Sequence, residues 1–122
     1  MKKRIRIVLL MLCILFIPVV ASANISSFSL NSSNTSYSSK GRPWYYGTGV
    51  VDFGVMNFSG GVARINFKEL KTLWPDSTVA TFYLDSNTSN YYSKATSVSD
   101  QHAYYYQVNR ASGYPKGTAF GR

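Results

Sequence analysis

The chain has 122 residues, room for one domain, with 45% hydrophobic and 16% aromatic residues and a formal net charge of +8. Four of its cations, Lys2, Lys3, Arg4 and Arg6, precede an apolar run, so the part beyond Ala23 keeps nine Lys and Arg against five Asp and Glu, about +4. That balance is too weak to argue for nucleic acid as a partner, and the single cysteine, Cys13, lies in the apolar run, leaving the rest without disulfides, thiolate metal sites or a thiol nucleophile.

Residues 1–23 read as a secretory signal peptide: a basic start, an apolar stretch from Ile7 to Val20, Pro18 as a helix breaker, and small residues at Ala21-Ser22-Ala23. The run is short for a full membrane span, and its Ala-x-Ala ending favours cleavage over retention as an anchor. Cys13 sits in mid-run behind the large Leu12, which argues against lipidation. The expectation is a secreted, extracellular protein beginning at Asn24. Without disulfides such a domain must rely on aromatic burial or oligomerisation, and all ten tyrosines and both tryptophans lie beyond residue 23.

Residues 24–43, NISSFSLNSSNTSYSSKGRP, are dominated by Ser and Asn. Isolated apolar residues cannot offset the entropy of ordering such a segment, so a flexible arm is expected. The alternative is a strand docked through Phe28 and Leu30. The domain proper is placed at 44–122. Trp44 to Phe67 is rich in aromatic and β-branched residues and divides at Ser59-Gly60-Gly61, a turn signal between two extended runs. In the first run Val51, Phe53 and Val55 share a face, with Val50, Met56 and Phe58 nearer the other; Gly49 and Gly54 suggest a bulge or a close backbone approach. In the second, Ala63, Ile65 and Phe67 point inward and Arg64 and Asn66 to water.

Phe67 to Trp74, FKELKTLW, has near-helical spacing and predicts a short helix ended by Pro75-Asp76. Thr78 to Leu84 predicts a strand with Ala80, Phe82 and Leu84 inward, followed by a turn at Asp85-Ser86-Asn87. Tyr91 to Val98 and Ala103 to Val108 predict two more strands, joined by Ser99 to His102, and the glycines and proline after Asn109 predict an irregular tail. Strands at short spacing with polar turns indicate an all-β chain, a small antiparallel β-sandwich or a partly open barrel, and the sandwich is preferred.

Catalytic and cofactor chemistry has little to draw on. A hydrolytic triad would need His102, the lone histidine, with Asp100 and a serine, but nothing resembles a nucleophile elbow. One His, no Cys beyond residue 23 and five scattered carboxylates (Asp52, Glu69, Asp76, Asp85, Asp100) form no metal-ligand spacing and single out no glycosidase pair. Gly47-Thr48-Gly49 is followed by a strand pattern rather than a helix, so it is not a phosphate loop. The expectation is a non-enzyme with no catalytic residues, cofactor or metal. What remains is binding. Tyr45-Tyr46, Tyr91-Tyr92 and Tyr104-Tyr105-Tyr106 must each put a ring on the outer face if they lie in strands, since neighbours alternate. An outward tyrosine beside Arg64, Lys94 or Arg110 would stack on sugars or sit at a membrane interface while the cation attracts phosphate. The opposing reading has one ring of each run in the core and the other covering an edge.

Arg42 to Val50, RPWYYGTGV, resembles the opening of mature bacteriocins of the lactococcin 972 family; Tyr92-Ser93-Lys94-Ala95-Thr96 and Ala103-Tyr104-Tyr105-Tyr106 resemble that family's later aromatic segments. The segment after the first strand, Asn57 to Ala63, departs from the family's pattern. The resemblance implies a secreted antibacterial β-sandwich that binds the cell-wall precursor lipid II and blocks septum formation. Its partner would be that precursor or another envelope component of target bacteria. Homodimerisation through exposed edge strands is a further expectation. The candidate binding residues are Trp44, Tyr46, Arg64, Tyr92, Lys94 and Tyr105. The alternative function is a structural or adhesive extracellular protein with a carbohydrate- or self-association surface.

Overall fold

The structure, a computed structural model, describes residues 24–87, 89–99 and 101–122. The expected signal peptide, 1–23, and Asp100 of the conceivable triad lie outside the described residues. The described chain is all-β. Its strands are β1 (Asn24–Ser29), β2 (Ser36–Ser38), β3 (Trp44–Tyr45), β4 (Gly49–Leu70), β5 (Ser77–Asp85), β6 (Tyr92–Val98) and β7 (Ala103–Gly121). All pair antiparallel in one seven-stranded sheet.

Two long strands organise it. β4 and β7 run side by side from Phe53 opposite Gly121 to Leu70 opposite Ala103. Along its other edge β4 pairs first with β6 (Gly49 opposite Val98) and then with β5 (Val62 opposite Asp85). The other edge of β7 takes β3 and β2 near its start and β1 at its end. Midway, the β4–β7 register shifts between Met56 and Ser59, between Ser59 and Gly61, and between Val62 and Ala63. Here the φ angles are 55° at Asn57, 88° at Gly60 and 67° at Gly113. Glycine enters this left-handed region freely and Asn more readily than most residues. A Cβ on Gly113 would lie 2.6 Å from the Gly60 carbonyl oxygen and 2.8 Å from the Gly61 Cα, so the two strands bend together in close contact.

The bend folds the sheet over itself into a small β-sandwich. Rings from the two halves meet in the core: Phe53 lies 5.3 Å from Phe67 and 5.6 Å from Tyr104, and Phe28 lies 6.2 Å from Tyr106, between centroids. The extra residues at the bend also explain a change of face. Val51, Phe53 and Val55 point inward as the alternation predicts, but Phe58, expected nearer the other face, is buried too, because the bulge shifts the alternation by one. Gly54 meets the expected close approach: a Cβ there would lie 2.0 Å from the Tyr92 carbonyl oxygen.

Four expectations are corrected. Ser59-Gly60-Gly61 does not end a strand; it is the bend within β4. Phe67 to Trp74 is not helical. Phe67 continues the buried alternation of Ala63 and Ile65, and the backbone from Val62 to Glu69 is paired with β5 on one edge and β7 on the other. A two-turn helix would forfeit both ladders. The segment after Asn109 is the second half of β7, not an irregular tail, and pairs with both β1 and β4. The flexible arm is also paired over much of its length: β1 lines up along β7, Phe28 and Leu30 are buried, and Ser39 is buried where its Oγ accepts the Tyr106 N–H at 2.9 Å. The docked strand through Phe28 and Leu30 is the arrangement found. Polar composition was a poor guide because an edge strand needs only one apolar face. Ile25, Ser27 and Ser29 face solvent while Ser26, facing in, bonds the Tyr106 hydroxyl at 2.7 Å.

Candidate ligand-binding surfaces

Of the six residues expected to bind, three pack in or against the core and a fourth, Tyr105, is covered on the outer face. Trp44 is 8% exposed, with its ring 5.7 Å from Tyr106 and 6.4 Å from Phe67. Tyr46 packs edge-on to Phe53 at 5.7 Å, and burial pushes its hydroxyl up to about 12. Tyr92 contacts Phe58 and Phe82, and its hydroxyl accepts from the Asp85 N–H at 2.9 Å. Tyr105 does face outward, opposite Lys68 on β4, yet is only 2% exposed. Its hydroxyl donates to Asp76 Oδ2, Lys40 Nζ lies 3.2 Å from the same oxygen, and Lys40 also sits 5.8 Å from the Tyr105 ring centroid. Asp76 further accepts the Lys71 N–H at 2.9 Å. That backbone bond first, then Tyr105 and Lys40, hold the Asp76 carboxyl at about 2. Burial first, then the carboxylate, push the Tyr105 phenol up to about 12. The Asp76 cluster therefore closes the loop 71–76 over the outer face of the sheet.

The remaining two, Arg64 and Lys94, are exposed but lie on different halves. Lys94 stands on β6 opposite Phe53, near the start of β4. Arg64 stands on the second half of β4, opposite Tyr83 on β5 and Asn109 on β7. With Arg110 these residues line a surface groove of about 300 Å³. Tyr83 is 76% exposed. Arg110 donates its Nε–H to the Gly113 carbonyl, which fixes the guanidinium while leaving further N–H donors. Among the described residues neither guanidinium forms an ion pair with a carboxylate. An exposed phenol ring sharing a groove with two such cations suits a ligand combining an anionic group with a stackable face. Tyr83 lies outside the tyrosine runs that drew attention in the sequence. The usable signal was the alternation of β5, where inward Phe82 forces Tyr83 out.

A second concavity, of about 420 Å³, lies at the end of the sandwich where β4 gives way to the loop 71–76. Glu69, Lys71, Leu73, Trp74, Gln101 and His102 line it. His102, the histidine a hydrolytic triad would need, pairs with Glu69 instead: its Nδ1 lies 3.2 Å from Glu69 Oε1. Leu73 and Trp74, at the end of the segment expected to be helical, are 89% and 75% exposed. Among the described residues no three His, Cys, Asp or Glu gather as metal ligands.

No family model matches the chain, no curated protein is detectably similar to it, and no solved structure resembles it closely enough to register.

Proposed function

We propose that this is a secreted, bacteriocin-like protein that acts without catalysis at the envelope of other bacteria, by gripping an anionic, sugar-bearing component through the Arg64–Tyr83–Arg110 groove. The observation that carries this reading is the exposed Tyr83 ring sharing one groove with two guanidiniums that form no ion pair among the described residues. Guanidinium forks bind phosphate oxygens bidentately, and a neighbouring ring adds a stacking surface. The signal-like segment at 1–23 and the resemblance of three short segments to lactococcin 972 bacteriocins support the same direction. Lipid II, with a pyrophosphate joined to sugars, has the chemistry such a groove would take.

The test is binding to bilayers with and without lipid II, at two salt concentrations, alongside growth inhibition. Lipid-II-dependent, salt-sensitive binding is expected. The double substitution Arg64→Ala/Arg110→Ala should weaken it by roughly tenfold or more, since each hydrogen bond to a charged group contributes about 1.5–3 kcal/mol. Equal binding to both bilayers would sink this reading. Inert protein that self-assembles would favour the structural or adhesive role, for which the exposed rings of Tyr37, Tyr45, Tyr91 and Tyr114 offer contact surface.

A further inference from the structure

The geometry points to a second binding site, separate from the groove: the cleft at the β4–β5 end takes a sugar ring, with Trp74 as stacking platform and the Glu69–His102 pair as its hydrogen-bonding partner. Trp74 is 75% exposed, although burying an indole is strongly favourable. Its loop is not loose. The six residues between Leu70, the end of β4, and Ser77, the start of β5, are closed by Asp76, which accepts from the Lys71 N–H and the Tyr105 hydroxyl and pairs with Lys40. The ring is thus presented by a clamped turn.

Leu70 and Leu73 line the cleft beside it, and the rest of the lining is polar. Glu69, Lys71, Gln101 and His102 share the cleft with the indole. An aromatic wall with a few placed polar groups is the usual make-up of a small-ligand site, and about 420 Å³ is within the usual size range. The His102–Glu69 contact engages Nδ1 and Oε1. Glu69 Oε2 is left as an acceptor and His102 Nε2 as donor or acceptor. Both side chains stay reachable, at 20% and 40% exposure. Two adjacent hydroxyls of a pyranose can satisfy one such atom each, while the C–H face of the ring lies on the indole. An apolar partner would leave the carboxylate and imidazole without ligand contacts, at a cost if it covered them.

The chain offers its own probe. Trp44, the other tryptophan, is 8% exposed, so a ligand-induced change in indole emission reports on Trp74. The purified protein is titrated with an N-acetylglucosamine oligomer, a neutral hexose oligomer and phosphatidylcholine vesicles, with denaturation curves as the folding control. A saturable response to one of the oligomers is expected, together with no response to vesicles. Calorimetric affinity for that oligomer should fall roughly tenfold or more in Trp74→Ala and Glu69→Leu, and recover in part in Trp74→Phe. Emission unmoved by either oligomer overturns the site. A response to vesicles that is lost in Leu73→Ser also overturns it, and makes the Leu73–Trp74 tip a membrane contact. Substitutions at Arg64 and Arg110 should leave this response intact, so the two sites can fail independently.

Discussion

Asp76 shows how much one side chain can settle. Its carboxylate joins the loop 71–76 to Tyr105 on β7 and to Lys40 of the N-terminal segment. The folded state holds its carboxyl near 2 against a usual 3.8. As pH falls, the unfolded chain therefore takes up the proton first. The stabilisation is complete above about pH 4 and disappears as pH falls through about 2. Asp76→Asn should cost roughly 1.5 kcal/mol or more at neutral pH and flatten the acid limb of a stability–pH profile measured by denaturant titration. The tyrosines act at the other extreme. Tyr46, Tyr105 and Tyr106 are each raised from 10.0 to about 12, chiefly by burial. The unfolded chain loses these protons first, so stability is full below pH 10 and is lost as pH rises through about 12. The share of the phenolate absorbance that these three rings contribute should rise together with unfolding, not before it. At this scale the sequence was legible only in part. Alternation correctly sends Tyr105 outward, but the cover it receives comes from residues 29 and 65 positions away, which no local pattern contains.

At the level of elements, alternation was readable wherever a strand had one clear inner face. Ala63, Ile65 and Phe67, and later Ala80 and Leu84, are buried as their spacing predicts. It misled where a decisive feature lies across the ladder. Ser59-Gly60-Gly61 has hairpin chemistry, yet Gly113, its partner on β7, lets both strands bend instead of ending one. FKELKTLW has a helical spacing by coincidence, since Phe67 also continues a period of two. Gly113→Ala tests the bend. It places a Cβ against backbone and forces an L-residue to a φ of 67°. The conformation alone should cost about 1–2 kcal/mol, and the clash should add to that. A loss under about 0.5 kcal/mol in denaturant unfolding, the scale of an ordinary surface change, would mean that the bend does not depend on that glycine.

For the whole molecule, the polar N-terminal segment and the C-terminus close the same half of the sandwich. Asn24 pairs with Gly121, and Asp52 and Arg122 exchange backbone hydrogen bonds of 2.8 and 3.1 Å. β1 covers an edge of β7 and brings Phe28, 4% exposed, against Phe58 and Tyr106. The long strands are thus held at that end by segments whose composition looks like linker or tail. If β1 were a detachable arm, Phe28→Ala would be nearly neutral. Docked as it is, the substitution leaves a cavity between the two halves and should cost about 3–5 kcal/mol, close to the whole stability of a small domain without disulfides. Ile25→Ala on the same strand serves as the contrast, because Ile25 is 61% exposed and should cost under about 1 kcal/mol. Thermal unfolding of the pair separates the two pictures. A large gap between the variants, with a single cooperative transition in each, makes β1 part of the domain. Similar melting of both would make it an appendage and would leave the β7 edge open for pairing with another chain.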